Sequence, residues 1–323
     1  MVIFHIEFGV KIDFFLFNFY ILLNLTIKME QYVDDNVLSI IIEYCDGDKI
    51  DFLSTCKNYR EKFYENVWVN YDEFINENGE ISEIGDMKIF KLKTINLLDC
   101  KINLQYLTHL EFDGEKLPDD FSKMVPNLHT LKFGFCFNES VDNLPQNLQT
   151  LIFGYSFNQN ADNLPQSLQT LIFGDKFNQK VDDLPQNLQT LIFGYWFNQK
   201  VDNLPEKLLT LIFGYNFDQN VDNLPKKLKT LEFGPIFNKN VDNLPSNLQT
   251  LKFGHFFNKK VDKFPKKLKT LEFGYYFKQK VNKLPKKLQY LTEYYCGIDE
   301  TLLSDFKNTK ISGYFPYRIW CKN

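Results

Sequence analysis

The chain has 323 residues, of which 44% are hydrophobic and 24% charged, with a formal net charge of -4. That balance excludes a disordered tail and a collagen-like fibre, and so small a net charge gives the whole chain no general pull toward polyanions. Thirty-five lysines stand against two arginines, and Ala161 is the one alanine beside 33 phenylalanines, a bias that fits AT-rich codons. The six cysteines, at 45, 56, 100, 136, 296 and 321, form no Cys-x-x-Cys pair. They read as reduced thiols of a cytosolic or nuclear protein. His5, His109, His129 and His255 are scattered, so no metal centre is expected.

Phe14 to Ile27 is the most apolar run, 14 residues interrupted by Asn18 and Asn24, whereas a membrane span needs about twenty. It has neither a basic n-region nor a small-residue cleavage site. Three readings of residues 1–28 stand side by side: an upstream extension with synthesis starting at Met29, a short membrane or interfacial anchor, or an element packed on the next domain. A membrane partner is expected only in the second.

Residues 29–70 carry a helical pattern. Val37, Leu38, Ile41, Ile42 and Cys45 share one helix face, Asp34, Asp35 or Asn36 supplies the cap, and Asp46-Gly47-Asp48 breaks the run. Ile50, Phe52, Leu53, Cys56 and Tyr59 then resume helical spacing. About forty residues bury too little surface to stand alone, so the module leans on a partner or on the following chain. Val37-Leu38, Ile41-Ile42, Tyr44-Cys45-Asp46, Ser54, Cys56-Lys57, Arg60 and Trp68 resemble an F-box in order and spacing, with Val33-Asp34 where that family has Leu-Pro. The resemblance implies docking on a Skp-type adaptor of a cullin-RING ubiquitin ligase through Val37, Leu38, Ile41, Ile42, Cys45, Cys56 and Lys57. Taken without it, the same positions describe a helical cap on the array that follows.

Residues 71–127 read as a linker with degenerate repeats, including Leu107-x-x-Leu110-x-Phe112-x-Gly114. Residues 128–290 repeat every 20 residues without slippage. Leu-Pro recurs from Leu144-Pro145 to Leu284-Pro285, with Phe264 in one copy, and Leu-x-Phe-Gly recurs from Leu131 to Gly274. A fixed short period is the signature of a solenoid, whose coils share one continuous core. In Leu148-Gln-Thr-Leu151-Ile-Phe153-Gly154 the alternation about Leu151 predicts a strand, and Gly154 is expected to allow a turn closed to residues with a Cβ. Val141, Leu144, Leu148, Leu151, Phe153 and Phe157 are expected inside, each contributing about 1.5–3 kcal/mol on burial. The column Asn138, Asn158, Asn178, Asn198, Asn238 and Asn258, with Asp218 and Lys278 in the remaining copies, is expected to form an amide ladder. The Asp142 to Asp262 column offers one carboxylate per coil, too few for calcium.

The string Leu-Pro-x-x-Leu-x-x-Leu-x-Phe-Gly-x-x-Phe-Asn-x-x-Val resembles the FNIP repeat, a leucine-rich-repeat-like unit. Together with the F-box-like segment, the chain is similar to the F-box and FNIP repeat proteins of social amoebae and giant DNA viruses. The resemblance implies a small all-α module followed by a leucine-rich-repeat-like β-solenoid, in the cytoplasm or nucleus, or the host cytoplasm if the chain is viral.

Constant positions build the scaffold, so a partner is read by variable ones. Ile152, Ile172, Ile192 and Ile212 form an apolar stripe on the outer strand face, bounded by charge. Beside it lie Tyr155, Tyr195, Trp196, Tyr215, Tyr275 and Tyr276, residue types that concentrate binding energy. An unidentified protein target is expected on these side chains. They would otherwise serve as ladders that stabilise the sheet. Residues 200–290 hold 18 Lys against 8 Asp or Glu, so their net charge is +10 against -14 for the remainder. These lysines are read as a solvated edge in preference to a nucleic-acid surface. No catalytic or cofactor motif appears, and residues 291–323 are expected to break the period and cap the last coil. The sequence thus describes a non-enzymatic substrate adaptor of a ubiquitin ligase, or a plain binding scaffold.

Overall fold

A computed structural model describes residues 104–292 except 262, together with the strands at 68–70, 91–94 and 310–312 and residue 97. The module at 29–67, with Val37, Leu38, Ile41, Ile42, Cys45, Cys56 and Lys57, lies outside the described residues, as do residues 1–28 and 313–323.

The array is a single parallel sheet of 13 strands in which spatial order follows chain order. Strand β1 (Trp68–Asn70) is followed by β2 (Lys91–Thr94), β3 (His109–Phe112), β4 (Thr130–Phe133) and β5 (Thr150–Ile152). One short strand per coil continues the series to β11 (Thr270–Glu272), β12 (Tyr290–Thr292) and β13 (Lys310–Ser312). A parallel strand needs a crossover before it can pair with its predecessor. From β4 to β12 the crossover is the remainder of each coil, built of turns in the described residues, whereas a short helix, Phe121–Met124, lies between β3 and β4. Trp68, which closes the F-box-like pattern, lies on a strand and pairs with Lys91.

The first coils are uneven. Trp68 pairs with Lys91, Lys91 with His109 and His109 with Thr130, offsets of 23, 18 and 21 residues. From Thr130 the offset is 20 in every pair, and it remains 20 where Tyr290 meets Lys310. The sheet therefore runs one strand past residue 290, the limit read from the sequence motif.

Within a coil, Leu151 is buried while Thr150 and Ile152 are half-exposed, the alternation expected of a strand with one wet face. The Thr150 N–H donates to the His129 carbonyl at 2.9 Å and the Phe153 N–H to the Ile172 carbonyl at 2.8 Å. Val141, Leu144, Leu148, Leu151, Phe153 and Phe157 are all buried, as are their counterparts along the array apart from the partly exposed Leu244 and Phe264. Phe153 stacks on Phe157 of its own coil with centroids 3.7 Å apart and on Phe173 of the next at 5.5 Å. Two phenylalanine columns thus run inside the solenoid. Truncating a central member leaves a void that neighbouring rings, fixed by their own stacks, cannot fill.

The glycine after each strand has a different role from the one its sequence suggests. None from Gly134 to Gly274 has a φ in the left-handed region, so no turn there demands glycine. A Cβ on Gly174 would instead overlap the carbonyl oxygen of Gly154, and the same holds for Gly194 against Gly174. Glycine is required because successive coils meet backbone to backbone at this corner.

The asparagine column forms the amide ladder. Asn138 Oδ1 accepts the Asn158 N–H at 2.8 Å, Asn158 Oδ1 the Asn178 N–H at 2.9 Å, and Asn178 Oδ1 the Asn198 N–H at 2.9 Å. Asp218 preserves the series, accepting the Asn238 N–H at 2.9 Å. The last described rung is the Lys278 N–H on Asn258 Oδ1, and lysine has no oxygen to offer onward.

Urea unfolding tests these roles. Gly194→Ala is expected to cost about 3 kcal/mol, because backbone cannot yield as a side chain would. Asn178→Ala should cost about 1–2 kcal/mol by orphaning the Asn198 N–H, whereas Asn178→Asp keeps the acceptor and should lose far less.

Candidate functional site

The outer strand face is an ordered surface because the register is fixed. Ile152, Ile172, Ile192 and Ile212 are direct cross-strand partners, half-exposed, at the spacing of about 4.8 Å that parallel pairing imposes. The stripe spans about 15 Å. Ion pairs close both ends. Lys132 Nζ lies 2.9 Å from Glu111 Oε1, and Lys252 Nζ lies 2.9 Å from Glu232 Oε1. These pairs are partly exposed and contribute little stability, but they bound the apolar patch sharply.

Two columns of variable residues occupy the turn after each glycine. Tyr155 stacks on Phe135 with centroids 4.7 Å apart, and Tyr195 stacks on Tyr215 at 4.7 Å with Trp196 edge-on at 4.9 Å. Asp175 and Lys176 separate the two pairs, and Lys176 Nζ lies 5.3 Å from the centre of the Tyr155 ring. The turn itself is held by backbone bonds at the second position, such as the Trp196 N–H on the Asp175 carbonyl at 2.8 Å. The first position need not donate to the backbone series, which explains how Pro235 fits there while its carbonyl accepts the Phe256 N–H at 2.8 Å.

Tyr275 and Tyr276, grouped in sequence with the other aromatics, lie apart from the isoleucine stripe. They stack on His255 and Phe256, both at 5.2 Å, three coils beyond Tyr215. The expected single face is therefore two: a central one made of the isoleucines with Tyr155, Tyr195, Trp196 and Tyr215, and a C-terminal aromatic block. The ladders anticipated as an alternative to binding do form, and they leave the rings accessible. Trp196 is 51% exposed, and Phe135, absent from the predicted set, is 63% exposed. Phe135 and Phe256 occupy the same columns as the predicted residues, so their signal was positional.

The aspartate column is engaged in hydrogen bonds between coils. Asp182, Asp202 and Asp222 each accept from the side-chain amide of the asparagine 21 residues onward, at 3.1 Å. Asp142 accepts from the Ser140 hydroxyl at 2.6 Å and from Asn163 Nδ2 at 2.9 Å. Those two donors, Ser140 first, hold its carboxyl below the usual range against a small opposing effect of burial. Among the described residues no group of His, Cys, Asp or Glu is arranged to hold a metal, and no helix is long and apolar enough to cross a membrane.

The FNIP Repeat family matches residues 137–176, 157–195, 177–216, 197–236, 215–256 and 257–292. These coils are FNIP repeats. In this chain the repeat is a strand, a glycine corner, an asparagine rung and a Leu-Pro return, with the variable positions set beside the strand. The crystal structure of CroV588, a novel circular LRR protein structure, is similar at 38% identity and a TM-score of 0.58, over 65% of this chain and 34% of that one. The FNIP array is thus a leucine-rich-repeat-like solenoid, and the matching stretch spans about a third of CroV588. The TLR13–ssRNA13 complex matches at 15% identity and a TM-score of 0.38, over 76% of this chain and 52% of that one. No curated protein matches the chain.

Ser140→Ala is expected to raise the Asp142 carboxyl back toward its ordinary value, read by NMR titration. A depressed folded pKa contributes stability above the unfolded carboxylate value, lost as pH falls through the folded value. That contribution is small at so exposed a site.

Proposed function

We propose that the protein is a non-enzymatic target-recognition adaptor whose FNIP solenoid binds another protein through the central face. The observation that carries the reading is the four-isoleucine stripe, half-exposed, bounded by ion pairs and flanked by exposed Tyr195 and Trp196. A scaffold alone requires only the constant positions. An apolar strip beside aromatic anchors is the composition of an interface centre.

The F-box-like pattern at residues 29–70 supports the finer part of the proposal. Val37, Leu38, Ile41, Ile42, Cys45, Cys56 and Lys57 would dock on a Skp-type adaptor and so bring the bound target to a cullin-RING ubiquitin ligase. A second reading rests on Val33-Asp34 at the place of Leu-Pro: the segment caps the array, and the protein is a binding scaffold without a ligase.

Affinity purification of the tagged full-length chain separates these. The adaptor reading expects Skp and cullin subunits to co-purify and to be lost in Ile41→Asp/Ile42→Asp while the target is retained. Ile172→Asp/Ile192→Asp should lose the target and keep the ligase subunits. If deletion of residues 30–70 destabilises the array and no ligase subunit is ever recovered, the cap reading stands.

A further inference from the structure

The isoleucine column carries charge at both ends, and the order of the signs holds information. Cross-strand pairing runs the column unbroken from Glu111 and Lys132, through the four isoleucines, to Glu232 and Lys252. Each step along it is one coil, about 4.8 Å. Reversed end for end about the midpoint between Ile172 and Ile192, the column is its own complement. Isoleucine falls on isoleucine, Lys132 on Glu232 and Glu111 on Lys252. The register puts Lys93 and Glu272 at the next two positions, again opposite in sign.

A surface complementary to its own reversal meets the condition for an isologous two-fold contact, in which residue i touches j and j touches i. An axis parallel to the strands and passing between Ile172 and Ile192 performs that reversal. The other face-to-face arrangement, with the axis along the solenoid, sets Lys132 on Lys132 and Glu232 on Glu232. Like charges directly opposed across an interface are costly, so the sign order selects the first arrangement. An unrelated partner would be served by end charges in any order. The charges are also accessible: the Lys132 side chain is 48% exposed and that of Lys252 38%, although each already has a carboxylate at 2.9 Å in its own chain. In the reversed pairing the ion pair at one end of a copy meets the opposite ion pair of the other, and four charges alternate in sign. Such a network contributes more than an isolated surface pair, and the isoleucines between the two networks leave water.

We propose that two copies of this chain associate face to face through the isoleucine column, antiparallel along the solenoid. Lys132 of one copy then pairs with Glu232 of the other, and Ile172 packs on Ile192. Resting on the reading of the central face as a protein interface, the pairing names a second copy as its occupant, which a target must displace.

Two charge swaps that preserve the ion pairs within each chain test the pairing. Glu111→Lys/Lys132→Glu reverses one end of the column, and Glu232→Lys/Lys252→Glu reverses the other. The full-length wild type should be a dimer by sedimentation velocity. Its dissociation constant should rise at least about tenfold in either swap variant and in Ile172→Asp/Ile192→Asp. Mixed in equal amounts, the two swap variants regain every opposite-charge contact and should form a heterodimer as tight as the wild-type dimer. A carbodiimide, which joins an amine to a carboxylate in contact, should link Lys132 to Glu232 in the wild-type dimer. Within one chain five coils, about 24 Å, separate these residues, so the link can only join two copies. Circular dichroism checks each fold, and if a swap variant does not fold the cross-link decides.

A wild type that stays monomeric at its highest soluble concentration overturns the proposal. So does a dimer that either folded swap leaves unchanged, a pair of folded swap variants that stay apart when mixed, or a dimer without the Lys132–Glu232 link. A monomeric wild type whose isoleucine variant still loses its target in the affinity purification fails here and keeps the proposed function. A dimer whose isoleucine variant retains its target overturns the proposed function and leaves the pairing standing.

Discussion

The contact on which the structure depends is the backbone approach at the glycine corner. Gly174 sits so close over the Gly154 carbonyl that no side chain fits between them. That closeness brings strand, turn and asparagine rung of consecutive coils into register at once. The Phe153 N–H reaches the Ile172 carbonyl, the Lys176 N–H reaches the Tyr155 carbonyl, and the Asn178 N–H reaches Asn158 Oδ1. Three hydrogen-bond series and two stacked phenylalanine columns then share one repeat distance. A coil of different length would satisfy one series at the expense of the others, which gives a physical reason for the unbroken 20-residue offset.

A fixed register turns variation into position. Any residue that changes between copies appears at a known height on a known column. The isoleucine stripe and the two aromatic groups are runs of such residues, and their limits are set by single substitutions: Glu232 ends the isoleucines, and Asp175 and Lys176 part Tyr155 from Tyr195. The scaffold tolerates these changes because the outer positions do not enter the inner columns. Pro235 shows how far the tolerance extends at the turn, where its missing N–H is not called upon by the backbone series.

Most of the solenoid was legible in the sequence. Period, strand, core residues and asparagine ladder all follow from columns of identical residues, and the structure places them as expected. The glycine was misread, because a close approach between coils cannot be told from a left-handed turn by residue type alone. The division of the aromatics into two groups was also hidden, although the end of the isoleucine column at Ile212 was its trace. The added strand at Lys310–Ser312 escaped because in that coil Ile311 alone continues the Leu151 column, without the Phe-Gly and the Leu-Pro or Phe-Pro that mark the coils of β5 to β11. Side-chain direction was legible only where alternation fixed it.

The Asn138 to Lys278 ladder has a direction. Every side-chain oxygen points toward the following coil and every N–H toward the preceding one. Any rung bearing asparagine or aspartate can be followed by another of either kind, so whole coils are interchangeable parts and a gene could gain or lose one without disturbing its neighbours. Lys278 is an exception in this grammar: it can end a row and cannot begin one. A coil copied into the interior with its lysine would cut the ladder in two, so growth of the array by duplication is free in the middle and punctuated at that end.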